Sequence, residues 1–113
     1  DRVVNTPGTF KLVFSPENGD KAEEIEVYKF DGKGCYLGMY NTEESIKSFG
    51  HACFKSALEF NYPLYLSTKN TILKWYDGLF KDVFEEIYQT HYKKDFEAKK
   101  LWYEHWLIDD MVA

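Results

Sequence analysis

Residues 35–58 read CYLGMYNTEESIKSFGHACFKSAL, and within them the chain changes its period. Cys35 to Tyr40 is a short extended run with Gly38 inside it, the kind of glycine that marks a bulge or a close backbone approach. From Asn41 the apolar residues recur at helical spacing. Asn41-Thr42-Glu43-Glu44 carries the features of a helix N-terminus. Ile46, Phe49, Gly50, Cys53, Phe54, Ala57 and Leu58 then follow the i, i+3, i+4 rule of a single helix face. Everything before this junction reads as β, and the first long helix starts at it.

Upstream, Phe10, Leu12 and Phe14 alternate with Lys11 and Val13. Ile25, Val27 and Lys29 alternate with Glu26, Tyr28 and Phe30. Between the two runs lies Ser15-Pro16-Glu17-Asn18-Gly19-Asp20, whose Asn-Gly pair favours positive φ. This predicts a hairpin. Asp31-Gly32-Lys33-Gly34 is a second turn.

Downstream, Tyr62-Pro63 stops the helix, because the residue before proline leaves the α region. Leu64, Tyr65 and Leu66 predict a short buried strand. Asn70 or Thr71 is placed to cap a second helix carrying Ile72, Leu73, Tyr76, Phe80, Val83, Phe84, Ile87, Tyr88 and His91 on one face. Asp77-Gly78 allows a break within it. Lys93 to Lys100 reads as a charged connection, Leu101 to Ile108 as a strand, and Asp109 to Ala113 as a first helical turn with acids at its start. The fold class is therefore α+β. An antiparallel β segment, residues 1–42, is followed by residues 43–113, one compact unit of helices packed on a short mixed sheet. A small hairpin cannot bury both its faces, and an unpaired edge is a liability, so pairing across a two-fold axis into a homodimer is expected.

The bulk numbers narrow the function. The chain has 113 residues, enough for one ordinary domain, with a net charge of −5 and 44% apolar content. The acidic balance argues against nucleic acid as a partner. No apolar run is long enough for a membrane span. The aromatic fraction, 19%, implies large buried rings or an adhesive surface. Cys35 and Cys53 make no disulfide framework; the pair allows one bridge, but two free thiols in a reducing compartment is the favoured reading. A start at Asp1 and an end one turn into a helix read as a processed product, an excised piece or a partial chain.

Two places offer chemistry. Lys69 lies between a short strand and a helix start, where backbone donors and the helix dipole converge, and a lysine there is suited to moving a proton. A solvated lysine after a strand has the same local sequence. Asp109 and Asp110 are adjacent carboxylates, and a hard cation such as Mg²⁺ would use one or two of them. Plain helix N-terminal acids look alike. His51, His91 and His105 are scattered without HxxxH or CxxC spacing, which argues against a zinc site. His51 falls off the main apolar face, His91 sits near the end of the second helix, and His105 is on a strand as a core or edge residue. No phosphate loop, dinucleotide fingerprint or GxSxG is present.

Several strings do resemble a known family. GMYNT at 38–42, PLYLSTKNTILK at 63–74, YDG at 76–78, WYEH at 102–105 and LIDDMVA at 107–113 are similar to eukaryotic-type NADP-dependent isocitrate dehydrogenase. The resemblance runs in order through nearly the whole chain and covers the family's clasp segment and most of the small domain that follows. It implies that residues 1–42 form the clasp, pairing strands across the dimer axis. It implies that Lys69 is the proton-relay lysine reaching the partner's active site, that Thr71 lies near the substrate, and that Asp109 is a metal-ligand aspartate also donated across the dimer. The implied metal is Mg²⁺ or Mn²⁺, held with isocitrate, and the implied cofactor is NADP. The implied compartment is cytoplasm or mitochondrion, with secretion left open.

Two departures stand out. The family's arginine after YDG is Leu79 here, and its arginine after WYEH is Trp106, so two fixed cations become apolar side chains. The family's remaining substrate, metal and NADP groups have no counterpart in these residues. Oxidative decarboxylation needs hydride acceptor, metal and acid/base groups together, so the chain alone is expected to bind no cofactor and to be inactive. Two readings follow. One is a portion of an isocitrate dehydrogenase. The other is a non-catalytic dimeric binding or structural protein derived from that segment, with Leu79 and Trp106 in a new apolar contact.

Overall fold

The computed structural model describes residues 1–112; Ala113, last in the expected helical turn, lies outside them. Helices, two antiparallel strand pairs and one parallel pair make the fold α+β. The chain divides into two compact units, Asp1–Tyr40 and Asn41–Ala113.

The first unit contains four strands: β1 (Arg2–Val4), β2 (Gly8–Phe14), β3 (Glu23–Phe30) and β4 (Gly34–Tyr36). β2 and β3 form the expected antiparallel hairpin, and Gly19 takes φ 90° in its connection. Asn18 steadies that turn by accepting a hydrogen bond from the Asp20 N–H at 3.0 Å. The strict alternation expected of β3 fails at Val27. Phe10 faces Tyr28 but Lys11 faces Glu26, so Val27 is an extra residue, a bulge. The bulge brings Ile25 onto the same face as Tyr28 and Phe30, opposite Leu12 and Phe10. The other face carries the Lys11–Glu24 ion pair at 2.8 Å.

The strand expected over Cys35–Tyr40 is shorter, ending at Tyr36, and Gly38 lies beyond it. Its partner is β1, for which three residues of sequence carry no periodic signal. Tyr36 stacks on Phe10 with ring centroids 4.5 Å apart. No residue of this unit is buried among the described residues.

The second unit contains α1 (Glu43–Phe60), β5 (Leu64–Thr68), α2 (Tyr76–Ile87), a π turn (Tyr88–Tyr92), α3 (Lys93–Ala98), β6 (Tyr103–Leu107) and α4 (Ile108–Val112). Thr42 caps α1 by accepting from the Ser45 N–H at 3.1 Å. Asn61, in the left-handed region at φ 58°, ends the helix one residue before the Tyr62-Pro63 pair expected to do so. Ile46, Gly50, Phe54 and Ala57 are buried as the spacing requires, whereas Phe49 is exposed at the edge of that face.

Three expectations need correction. Neither Asn70 nor Thr71 caps a helix. Residues 70–75 are turns, in which the Lys69 carbonyl accepts from the Ile72 and Leu73 N–H groups. α2 starts only at Tyr76, leaving Ile72 and Leu73 exposed. Gly78 lies inside α2 without breaking it. Finally, Lys93–Lys100 is no mere connection: α3 occupies it and contributes Phe96, wholly buried among the aromatic rings. Its charged neighbours hide that one apolar position from a periodicity count.

The core is aromatic. Phe54 has ring contacts with Phe84, Tyr88, Tyr92, Phe96 and Tyr103, at centroid distances of 5.1–5.9 Å. β5 and β6 are paired in parallel, Leu64 opposite Tyr103 through Thr68 opposite Leu107. The expected mixed sheet is thus a parallel pair, and β5 is half-buried, since Tyr65 faces outward and its hydroxyl accepts from Trp102 Nε1 at 2.7 Å.

Candidate functional site at the strand ends

Parallel pairing has a functional consequence. It places the carboxyl ends of β5 and β6 side by side, the position where open α/β sheets bind ligands. Lys69 directly follows β5, and α4 begins directly after β6 with Asp109 in its first turn. Lys69 Nζ and Asp109 Oδ2 form an ion pair, with Lys69 mostly covered and Asp109 mostly exposed. The two candidates far apart in sequence are therefore brought together. Thr71 is not joined to them; it is exposed in the turn that follows Lys69.

Two supporting contacts escaped sequence reading. The Lys69 backbone N–H donates to Asp77 Oδ2 at 2.8 Å, tying the residue after β5 to the first turn of α2. The Asp77-Gly78 pair, read as a weak point, supplies this anchor. Thr68, buried at the end of β5, shares a 2.7 Å hydrogen bond with His105 Nε2 from β6. It also accepts from the Asn70 N–H at 3.4 Å. Burial, with Lys81 nearby, lowers the His105 pKa, so the ring is kept neutral behind the ion pair. A single threonine and a single histidine at the right register carry no signal until the strands are paired.

The two departures lie at the surface. Leu79 is exposed on α2, and Trp106 is exposed on β6 with its Nε1 donating to Glu104 Oε2 at 2.7 Å. Cys35 and Cys53 are free.

Residues 17–113 match the family model for isocitrate/isopropylmalate dehydrogenase. The chain belongs to that family. Over all 113 residues it is 61% identical to the mitochondrial NADP isocitrate dehydrogenase of Mus musculus, 58% to that of Homo sapiens and 60% to that of Aspergillus niger. It covers 25%, 25% and 22% of those proteins, so it spans about a quarter of the length of the curated relatives it matches. No three His, Cys, Asp or Glu side chains converge as a metal set among the described residues of this isocitrate dehydrogenase-family chain. A divalent ion held by Asp109 would need its other ligands from elsewhere. No described helix is long and apolar enough to cross a membrane.

Proposed function

We propose that this chain is the clasp and small-domain portion of an NADP-dependent isocitrate dehydrogenase-like protein. In this reading residues 1–42 supply dimer contacts, and Lys69 and Asp109 enter an active site completed by the partner subunit. The observation that carries it is the meeting of Lys69 and Asp109 at the carboxyl ends of β5 and β6, in a chain close to 60% identical to such enzymes throughout.

The roles follow from the side chains. A Mg²⁺ or Mn²⁺ ion, when bound, polarises substrate oxygens as a Lewis acid. Asp109 offers a hard carboxylate ligand for it. Lys69 Nζ moves a proton to or from the substrate, with Thr71 near the substrate on the same turn. Until substrate arrives, the ion pair keeps both charges compensated and the lysine aimed across the strand ends. Asp77 fixes the backbone at Lys69, and the Thr68–His105 bond fixes the strand ends behind it.

The clasp assignment is supported by the β2–β3 face that carries Phe10, Leu12, Ile25 and Tyr28. Within its own unit Tyr36 stacks on Phe10, while Leu12, Ile25 and Tyr28 are half exposed or more. Such a face favours pairing with a second copy.

The test uses the full-length protein that carries this segment. Lys69→Gln should lower kcat by roughly 10²–10⁴, the usual contribution of a positioned acid or base. Asp109→Asn should weaken metal-dependent isocitrate binding. Wild-type turnover in both variants would overturn the catalytic assignment and favour the non-catalytic reading. Leu12→Glu should convert a sedimenting dimer to a monomer; a wild-type protein that sediments as a monomer at every concentration would remove the clasp.

A further inference from the structure

Two histidines outside the Lys69–Asp109 pair meet where α1 crosses the π turn. The ring centroids of His51 and His91 are 5.2 Å apart, with planes inclined at 59°. The meeting depends on the π turn, since a π turn re-phases every side chain relative to a regular α-helix and recurs at functional sites. The rings line a recess of about 130 Å³ together with Lys47, Glu86, Ile87 and Thr90.

His51 is oriented by its partner. Its Nδ1 is 2.8 Å from the hydroxyl of buried Tyr92, so Nε2 is the ring nitrogen outside that bond. Metal-ligating histidines are held in this way, through the ring nitrogen that does not touch the metal. Zn–N bonds of 2.0–2.1 Å at a tetrahedral angle place two imidazole centroids about 5 Å apart, and the observed separation of 5.2 Å matches that spacing.

The surrounding charges are mixed. Glu86 brings a carboxylate to the recess, Lys47 is paired to Glu43 at 3.1 Å, and Lys55 opposes a cation. No third protein ligand converges among the described residues, so water would fill the remaining positions.

We propose that His51 and His91 form a two-histidine site for a divalent transition metal ion of the zinc, copper or nickel class. Imidazole selects these ions over Mg²⁺, which prefers oxygen. The site clamps α1 to the π turn, and binding there stabilises the folded chain by mass action.

The experiment is calorimetric titration of Zn²⁺ into the full-length protein with Mg²⁺ in excess, paired with thermal unfolding. The wild type should bind one zinc per chain that His91→Gln loses, with affinity falling at least about tenfold, the least that even an outer-shell partner costs. Tyr92→Phe, which keeps both rings, should weaken zinc by about 10–100-fold. Zinc should raise the unfolding midpoint of the wild type and not of His91→Gln. His91 is exposed, so the metal-free midpoint of that variant should match the wild type and verify its fold. Asp109→Asn should retain the zinc. Equal zinc affinity in His91→Gln and wild type overturns the site. Loss of the zinc in Asp109→Asn alone assigns it to Asp109 and overturns it equally.

Discussion

Replacing Phe54 by alanine removes the side chain around which the second unit is built. Phe54 is 0% exposed, and five rings surround it, from α2, the π turn, α3 and β6. Truncating a buried phenylalanine costs about 3–5 kcal/mol, as lost transfer energy plus the cavity left behind. Offset and edge-to-face ring pairs add about 0.5–1.5 kcal/mol each beyond area, so the upper end of that range is expected. Natural domains hold only about 5–15 kcal/mol in total, so this one change removes a large share. The control is Phe49→Ala on the same helix, because Phe49 is 54% exposed and has a ring contact only with Phe84 among those observed. Urea unfolding followed by circular dichroism reads both. With a slope of about 1–3 kcal/mol per molar, a loss of about 5 kcal/mol should shift the Phe54→Ala midpoint down by about 2–5 M, and Phe49→Ala by a small fraction of that. Equal shifts for the two variants would refute the placement of the core on the Phe54 face of α1.

Other outcomes follow from single contacts. Tyr103 Oη is buried without a hydrogen-bond partner among the described residues, and burial raises its pKa, so Tyr103→Phe should stabilise the protein by about 1 kcal/mol in the same urea assay; a loss of stability would mean the hydroxyl is satisfied. Thr42→Ala removes the cap of α1 and should cost about 1 kcal/mol, with Thr42→Ser close to wild type. His51 and His105 both have pKa values lowered from 6.5, chiefly by burial. Their neutral forms therefore contribute stability that is present above pH 6.5 and is lost as pH falls through the depressed folded-state values. Ring-proton NMR titrations should show both midpoints below 6.5, and midpoints at or above it would contradict the burial of these rings.

The hairpin, the long first helix and the change of class between them are legible along the chain. These are local matters. Alternation, an Asn-Gly turn and a capped run at 3.6 spacing each act within a few residues and need no distant partner. The sequence also marked Lys69 and Asp109, as residue types suited to proton and metal chemistry and as members of strings resembling a known family. The rest follows from long-range packing. β1 is too short to carry a period, and it exists because β4 pairs with it. The Val27 bulge becomes visible only when two strands are laid in register. Phe96 sits in a charged run, and the aromatic core buries it. The Lys69–Asp109, Thr68–His105 and His51–His91 encounters each join residues far apart in the chain. Which side chains meet across such separations is set by how helices and strands share one core, and no short stretch of sequence contains that information.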